Sequence, residues 1–233
     1  MSAVNVMEGG FGAFGKMPTV GDFFRINAPN SFVRGWDSWI QEILLEGQDT
    51  YGAGFDPLYM SAPIWRFTLP AGLAGASKVM GILMPSIDRV ERRFPLTLMC
   101  PLATPGPPAL DHLRETALFE QLEDIALASL EDDASREQLA QQLAKLTIPD
   151  LRDAVPLRAA AQTLVLTGTG EGTALETHLA AALLARHAPK CSLWTTQLEG
   201  GPRLLVSPEL PRGETARGLF DLSAPIWREA QPI

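Results

Sequence analysis

Three apolar runs with strand character follow one another in close order: Ile64–Leu69, Lys78–Met84 and Phe94–Cys100. This arrangement constrains the fold more than any other feature of the sequence. In the first run Trp65, Phe67 and Leu69 share one face, while Arg66 and Thr68 point the other way. The second is apolar at nearly every position, which predicts a central strand covered on both sides. The connectors hold Pro70, Gly72 and Gly75, then Pro85, Ser86 and Asp88. They are short enough for an antiparallel meander and short for helical crossovers.

The flanking segments supply the covering layers. Gly9–Lys16 reads as a first strand and Pro18–Arg25 as a turn or loop. A helix follows, capped by Asn30 or Ser31, with Phe32, Trp36, Ile40, Ile43 and Leu44 on one face, Trp39 beside that stripe, and Gly47 as the stop. After the break at Pro101–Pro108 the spacing turns helical through Leu110, Leu113, Ala117, Leu118, Leu122 and Ile125. Ser135…Gln138 forms a capping box ahead of Leu139, Leu143 and Leu146, and Thr173…Glu176 forms another ahead of Leu175, Leu179, Ala182 and Leu183. Ala161–Leu166, Ser192–Leu198 and Arg203–Val206 are further strand candidates. Helices alternating with strands predict an α/β chain of α+β character: a mixed central sheet with an antiparallel meander and helices packed on it. No long linker divides residues 1–233, so one domain is expected, with its motifs at 9–100 and a helical, acidic part at 101–233. The hexapeptide Ser61–Arg66 recurs as Ser223–Arg228 within unmatched flanks, the second copy reading as a C-terminal strand or tail.

Charge and composition exclude several functions. Through Cys100 there are 8 basic and 9 acidic residues; beyond it 11 stand against 18, giving a net charge of −8. An acidic chain without a basic stripe repels phosphate backbones, so no nucleic-acid partner is expected. No apolar run approaches the ~20 residues that a membrane span needs. Met1–Gly10 lacks the basic and apolar blocks of a signal peptide, and Cys100 and Cys191 read as two buried thiols. The expected location is the cytoplasm.

The catalytic and cofactor signatures fail on context. Gly10–Lys16 fits both G-x-G-x-x-G and G-x-x-x-x-G-K, which makes a nucleotide-binding switch the alternative reading. Met17 stands where a magnesium-holding Ser or Thr belongs, however, and Pro18 and Gly21 interrupt the helix that must follow. His112, His178 and His187 fall on predicted helices and read as solvated, and the cysteines lack C-x-x-C spacing. No catalytic residue, metal ligand or cofactor is assigned.

Two polar clusters remain. Gly15–Arg25 carries Lys16, Asp22 and Arg25 among Pro18, Gly21 and Phe23; Pro85–Pro95 carries Asp88, Arg89, Glu91, Arg92 and Arg93 between Ser86 and Phe94. Loops this rich in Asp and Arg either contact a partner's carboxylates or phosphates or pin themselves over the sheet end by internal ion pairs. A hydrolytic site at Ser86, Asp88 and Arg89 is a third reading, unsupported by any base, nucleophile or metal set.

The same residues resemble the TagF family. The pattern G-x-x-G-K-x-P-x-x-G-D-F-x-R over Gly12–Arg25 is followed by a Trp-rich helix at Trp36 and Trp39, an A-P-x-W-R-F run over Ala62–Phe67 with Trp65 and Arg66, and P-S-x-D-R-x-x-R-x-F-P-L over Pro85–Leu96 with Phe94 and Pro95. The likeness covers about the first hundred residues. Glu91 departs from it, standing where a small residue, often Gly, is expected. The resemblance implies a cytoplasmic, non-catalytic repressor of the type VI secretion apparatus that acts after translation by binding the forkhead-associated scaffold protein. The partner-binding residues it points to are Lys16, Asp22, Arg25, Asp88, Arg89 and Arg92. Gly15, Pro18, Gly21, Phe23, Trp36, Trp39, Trp65, Arg66, Ser86, Phe94 and Pro95 are expected to be structural members of the motif.

Overall fold

The three runs form the middle of a larger sheet. The computed structural model describes residues 10–149, 157–160, 163–167 and 174–231. Strands β1 (Gly12–Gly15), β2 (Phe24–Ile26), β3 (Trp65–Leu69), β4 (Lys78–Met84) and β5 (Leu96–Leu102) precede a separate hairpin of β6 (Leu157–Ala160) and β7 (Thr163–Leu166). β8 (Ser192–Thr196) and β9 (Arg203–Ser207) complete a seven-stranded sheet in the order β2-β1-β5-β4-β3-β8-β9. The meander β3–β4–β5 is as expected from the short connectors. The sequence pattern predicts a mixed sheet around it; instead every pairing among the described residues is antiparallel. The reason is the long excursion after β5, which returns β8 to the free side of β3 running opposite to it.

Helices cover both faces: α1 (Asn30–Tyr51), α2 (Phe55–Met60), α3 (Pro108–Arg114), α4 (Thr116–Ala128), α5 (Arg136–Leu143), α6 (Leu175–His187), α7 (Gly213–Phe220) and α8 (Pro225–Arg228). On the first face Phe32, Trp36, Trp39, Ile40 and Ile43 of α1 meet Phe67, Val79, Met99 and Trp194 of the sheet. The Trp36 ring lies 4.7 Å from Phe67 and 4.6 Å from Trp39. Large aromatic surfaces supply most of the burial energy here, and each buried indole N–H needs an acceptor. Trp36 donates to Thr97 Oγ1 at 2.8 Å, Trp39 to the Pro211 carbonyl at 2.7 Å and Trp65 to the Leu219 carbonyl at 2.8 Å. On the second face Met80, Ile82, Leu96, Leu98 and Cys100 pack against Leu118, Phe119 and Leu122 of α4 and Leu139 and Leu143 of α5. Both cysteines are free and buried, as expected, and burial pushes the Cys100 thiol up to about 12.

Several local expectations change. The first helix does not stop at Gly47 but runs on to Tyr51. Gly47 serves packing instead: a Cβ there would stand 2.3 Å from the Phe55 ring, so only glycine lets α2 fold back on α1. Pro29, not Asn30 or Ser31, occupies the N-cap. The Ser135 box forms as read, with Gln138 N donating to Ser135 Oγ at 3.2 Å. Thr173 of the second box and Gly9 of the first strand lie outside the described residues. Arg25, placed in a loop by the sequence pattern, sits in β2.

The histidines are not all solvated. His112 is 4% exposed beneath the sheet, its Nδ1 2.9 Å from Thr68 Oγ1 and its Nε2 2.9 Å from Thr195 Oγ1. His178 is also buried; only His187 is exposed. Burial, with the nearby Arg66 charge, drives the His112 pKa down to about 3. Arg66 itself forms a bidentate pair with Glu123, both contacts at 2.7 Å, and Lys78 pairs with Asp111. A row of polar groups therefore runs between β3–β4 and helices α3–α4 within an otherwise apolar face.

The second copy of the hexapeptide is neither strand nor extended tail. Its last residues form α8, whose Trp227 stacks on Trp65 of the first copy, with ring centroids 6.0 Å apart and planes 9° from parallel. The two indoles donate to successive carbonyls at the end of α7, Trp227 to Gly218 and Trp65 to Leu219.

Candidate functional site

The two loops that carry the family motif converge at one end of the sheet. The first joins β1 to β2 and the second joins β4 to β5; because β1 pairs with β5, the loops leave the sheet side by side. Gly15 makes this approach possible. Its φ is +138°, and a Cβ would lie 2.2 Å from the Pro95 carbonyl oxygen.

Asp88 organises the cluster. It is 1% exposed and its carboxylate collects four contacts. Lys16 Nζ lies 2.9 Å from Oδ2, Arg92 Nε donates to Oδ2 at 2.7 Å, and the backbone N–H groups of Arg92 and Val90 donate to Oδ1 at 2.9 and 3.1 Å. Burial alone would raise its pKa, but the bonds from the Arg92 backbone, Lys16 and the Arg92 guanidinium outweigh it and hold the carboxyl well below the usual range. Lys16 is 3% exposed. It also donates to the Arg92 carbonyl at 3.3 Å and lies 4.7 Å from the centroid of the Phe23 ring. The loops are stitched further by Arg92 Nη2 to the Gly21 carbonyl at 2.8 Å and by Arg89 N to the Val20 carbonyl at 3.1 Å. Ser86 Oγ donates to the Lys16 carbonyl at 2.9 Å.

The sequence-derived residues separate by orientation. Lys16 and Asp88 face inward and brace the fold, and Arg92 belongs to the brace although its side chain is exposed. Asp22 accepts from the N–H of Phe23 at 2.8 Å, and Arg25 bonds Asn30. Among the described residues the Arg89 guanidinium has no hydrogen bond or ion pair; it lies beside Gly21, exposed. Phe23, 46% exposed, and Val90, 61% exposed, also stand outward on the two loops. The Phe23 ring stands edge-to-face on Phe94 at 4.7 Å and stacks on Phe14 at 6.3 Å. Trp36, Trp39, Trp65, Arg66, Ser86, Phe94 and Pro95 are all buried.

Pattern reading missed Tyr59, Val90 and the pair of acceptors that fasten Arg93. The Arg93 guanidinium pairs with Asp56, donates to Gln48 Oε1 at 3.0 Å and lies over the Phe55 ring at 5.4 Å. The basic residues at 92 and 93 thus pull in different directions, one to Asp88 and one to α1–α2. Glu91 sits at φ +62°, the left-handed region that favours glycine, which accounts for the small residue expected at this position.

Three observations bear on chemistry. Gly12–Gly15 is a strand paired on both sides, so its backbone donors face the ladder rather than a phosphate, and Lys16 is committed to Asp88. The cavity at the loop roots, lined by Tyr59, Trp65, Pro85 and Pro95, is about 10 Å³, the size of a single water site. Among the described residues no group of three or more His, Cys, Asp and Glu side chains could hold a metal ion, and no helix is long and apolar enough to cross a membrane.

Fold and site together define an α+β protein with an antiparallel sheet, helices on both faces and a pair of loops braced from within. Comparison with known proteins places it more closely: residues 12–146 match the TagF N-terminal domain family, described as type VI secretion system-associated, and the chain belongs to that family. The crystal structure of PA0076 from Pseudomonas aeruginosa PAO1 superposes with a TM-score of 0.77 at 30% identity, over 96% of this chain and 97% of that one. No curated protein matches the sequence.

Proposed function

We propose that the protein is a non-catalytic, cytoplasmic negative regulator of type VI secretion that acts by docking on the system's forkhead-associated scaffold. The observation that carries this reading is the contrast within the loop pair: the inward charges are matched, while Arg89, Phe23 and Val90 stand outward on a braced frame. A pre-ordered loop loses little conformational freedom on binding, and Arg and aromatic side chains are the usual anchors of such contacts. The complementary surface offers carboxylates to Arg89 beside an apolar socket for Phe23 and Val90. Occupying the scaffold's docking face lowers the concentration available for assembly by mass action.

The test is co-purification of the scaffold from the source bacterium, followed by titration of the purified pair. The Arg89→Glu/Val90→Ser variant should bind at least tenfold more weakly while its melting temperature stays within about 2 °C, because surface changes of this kind shift stability by about 0.5 kcal/mol or less. Absence of any association with the unaltered protein, or undiminished binding by the variant, would refute the reading.

A further inference from the structure

Tyr59 lies where α2 passes beneath the root of the 85–95 loop. Its side chain is fully buried, at 0% exposure. The hydroxyl engages Ser86 twice, donating to the Ser86 carbonyl at 2.8 Å and accepting from the Ser86 N–H at 3.0 Å. Ser86 is the residue at which the two motif loops are joined: its Oγ holds the Lys16 carbonyl, and its own carbonyl also receives the Phe94 N–H at 3.1 Å, closing the loop stem. One phenol therefore fixes the stem from which Arg89 and Val90 project.

The other side of the ring faces the C-terminal part of the chain. Tyr59 lies 6.1 Å from the Phe55 ring and 6.0 Å from that of Phe220, the last residue of α7. Phe220 follows Leu219, whose carbonyl accepts the Trp65 indole, and Trp65 carries Trp227. A continuous set of contacts leads from α8 through α7 and Tyr59 to the loop.

We infer that Tyr59 is a positioning residue for the docking loop, holding Arg89 and Val90 in the binding geometry and making that geometry depend on the packing of α7–α8. The inference rests on the docking reading above. A purely space-filling ring would be replaced by phenylalanine without consequence, because the two share the same shape. The geometry assigns the work to the hydroxyl, since removing it leaves the buried Ser86 N–H without its acceptor.

Hydrogen exchange on the full chain tests this with Tyr59→Phe. Amides of residues 86–93 should exchange at least tenfold faster, those of β4 and β5 should stay within twofold of the unaltered protein, and scaffold binding should weaken at least fivefold. Ser86→Ala, which keeps the Tyr59 bonds and removes the link to Lys16, should loosen the loop less. Loop exchange within twofold of the unaltered protein in Tyr59→Phe overturns the inference and leaves the docking reading to the Arg89→Glu/Val90→Ser result. A loosened loop with unchanged scaffold binding also overturns it, and places the contact surface elsewhere.

Discussion

Among the described residues two groups of charges are built around buried members, Lys16 and Asp88 in one and Arg66, Lys78 and Asp111 in the other, and they are built differently. In the loop brace, Lys16 and Arg92 converge on the single carboxylate of Asp88, which also receives two backbone amides. In the row under α3 and α4, Arg66 has Glu123, Lys78 has Asp111, and neutral His112 bridges two threonines. The brace concentrates its charge pairs on one side chain and fixes a short loop tightly. The row spreads its bonds over separate partners and ties helices to the sheet along their length. The first arrangement suits the shaping of a small surface, the second the joining of two layers.

Replacing Asp88 should therefore have the largest effect. Asp88→Ala leaves the buried Lys16 ammonium without a counter-charge, and the expected loss is about 3–5 kcal/mol in urea unfolding. Glu123→Gln, which removes one charge from the row and keeps a hydrogen-bonding group in contact with Arg66, serves as the reference. Equal losses in the two variants would abolish the distinction between converging and distributed charges.

Acid separates the two groups by window. The folded-state pKa of His112 is lowered to about 3, so the unfolded chain takes up its proton first, below the ordinary imidazole value of about 6.5. The stability it contributes is present above that value and drains away as the pH falls toward 3. Asp88, held below the usual carboxylate range, contributes above about pH 4 and loses its contribution only at lower pH. Between pH 7 and pH 5 the unaltered protein should thus lose about 2 kcal/mol through His112, a loss that His112→Gln should largely remove. Matching pH profiles for the two proteins in thermal melts would show that the row does not hold its histidine neutral.

The smallest effect is at Glu91. Its left-handed backbone is strained for any residue with a Cβ, and Glu91→Gly should stabilise the loop by about 0.5–1 kcal/mol in the same melts. A loss of stability there would mean that the Glu91 side chain makes a contact worth more than the strain.

What could be read in advance follows the range of the interactions. The alternation at Trp65, Phe67 and Leu69 and the apolar run Lys78–Met84 located the middle of the sheet, because the pleat is a local property. The Ser135…Gln138 box was legible for the same reason. Gly47 misled because a helix stop and a helix-packing glycine look alike until Phe55 is seen against it. His112 misled because its partners Thr68 and Thr195 come from strands that are distant in sequence. At the candidate site the residue types were legible but their directions were not. Lys16, Asp88 and Arg89 look equally available as letters, and only the convergence of two loops turns two inward and one outward. Tyr59 carried no signal at all, since its role depends on a hydroxyl meeting the backbone of a loop 27 residues away.

The order of strands has a practical consequence. β3 is flanked on one side by β4 and on the other by β8, and the indoles of Trp39 and Trp65 find their acceptors at Pro211 and Leu219. A fragment trimmed to residues 12–146, the extent of the family match, would lack all three. It would present an open strand edge and two indoles without acceptors, Trp39 and Trp65, a combination that promotes clumping rather than folding. Anyone seeking a minimal working piece of this protein would do better to retain the stretch through Trp227 and look for economies elsewhere.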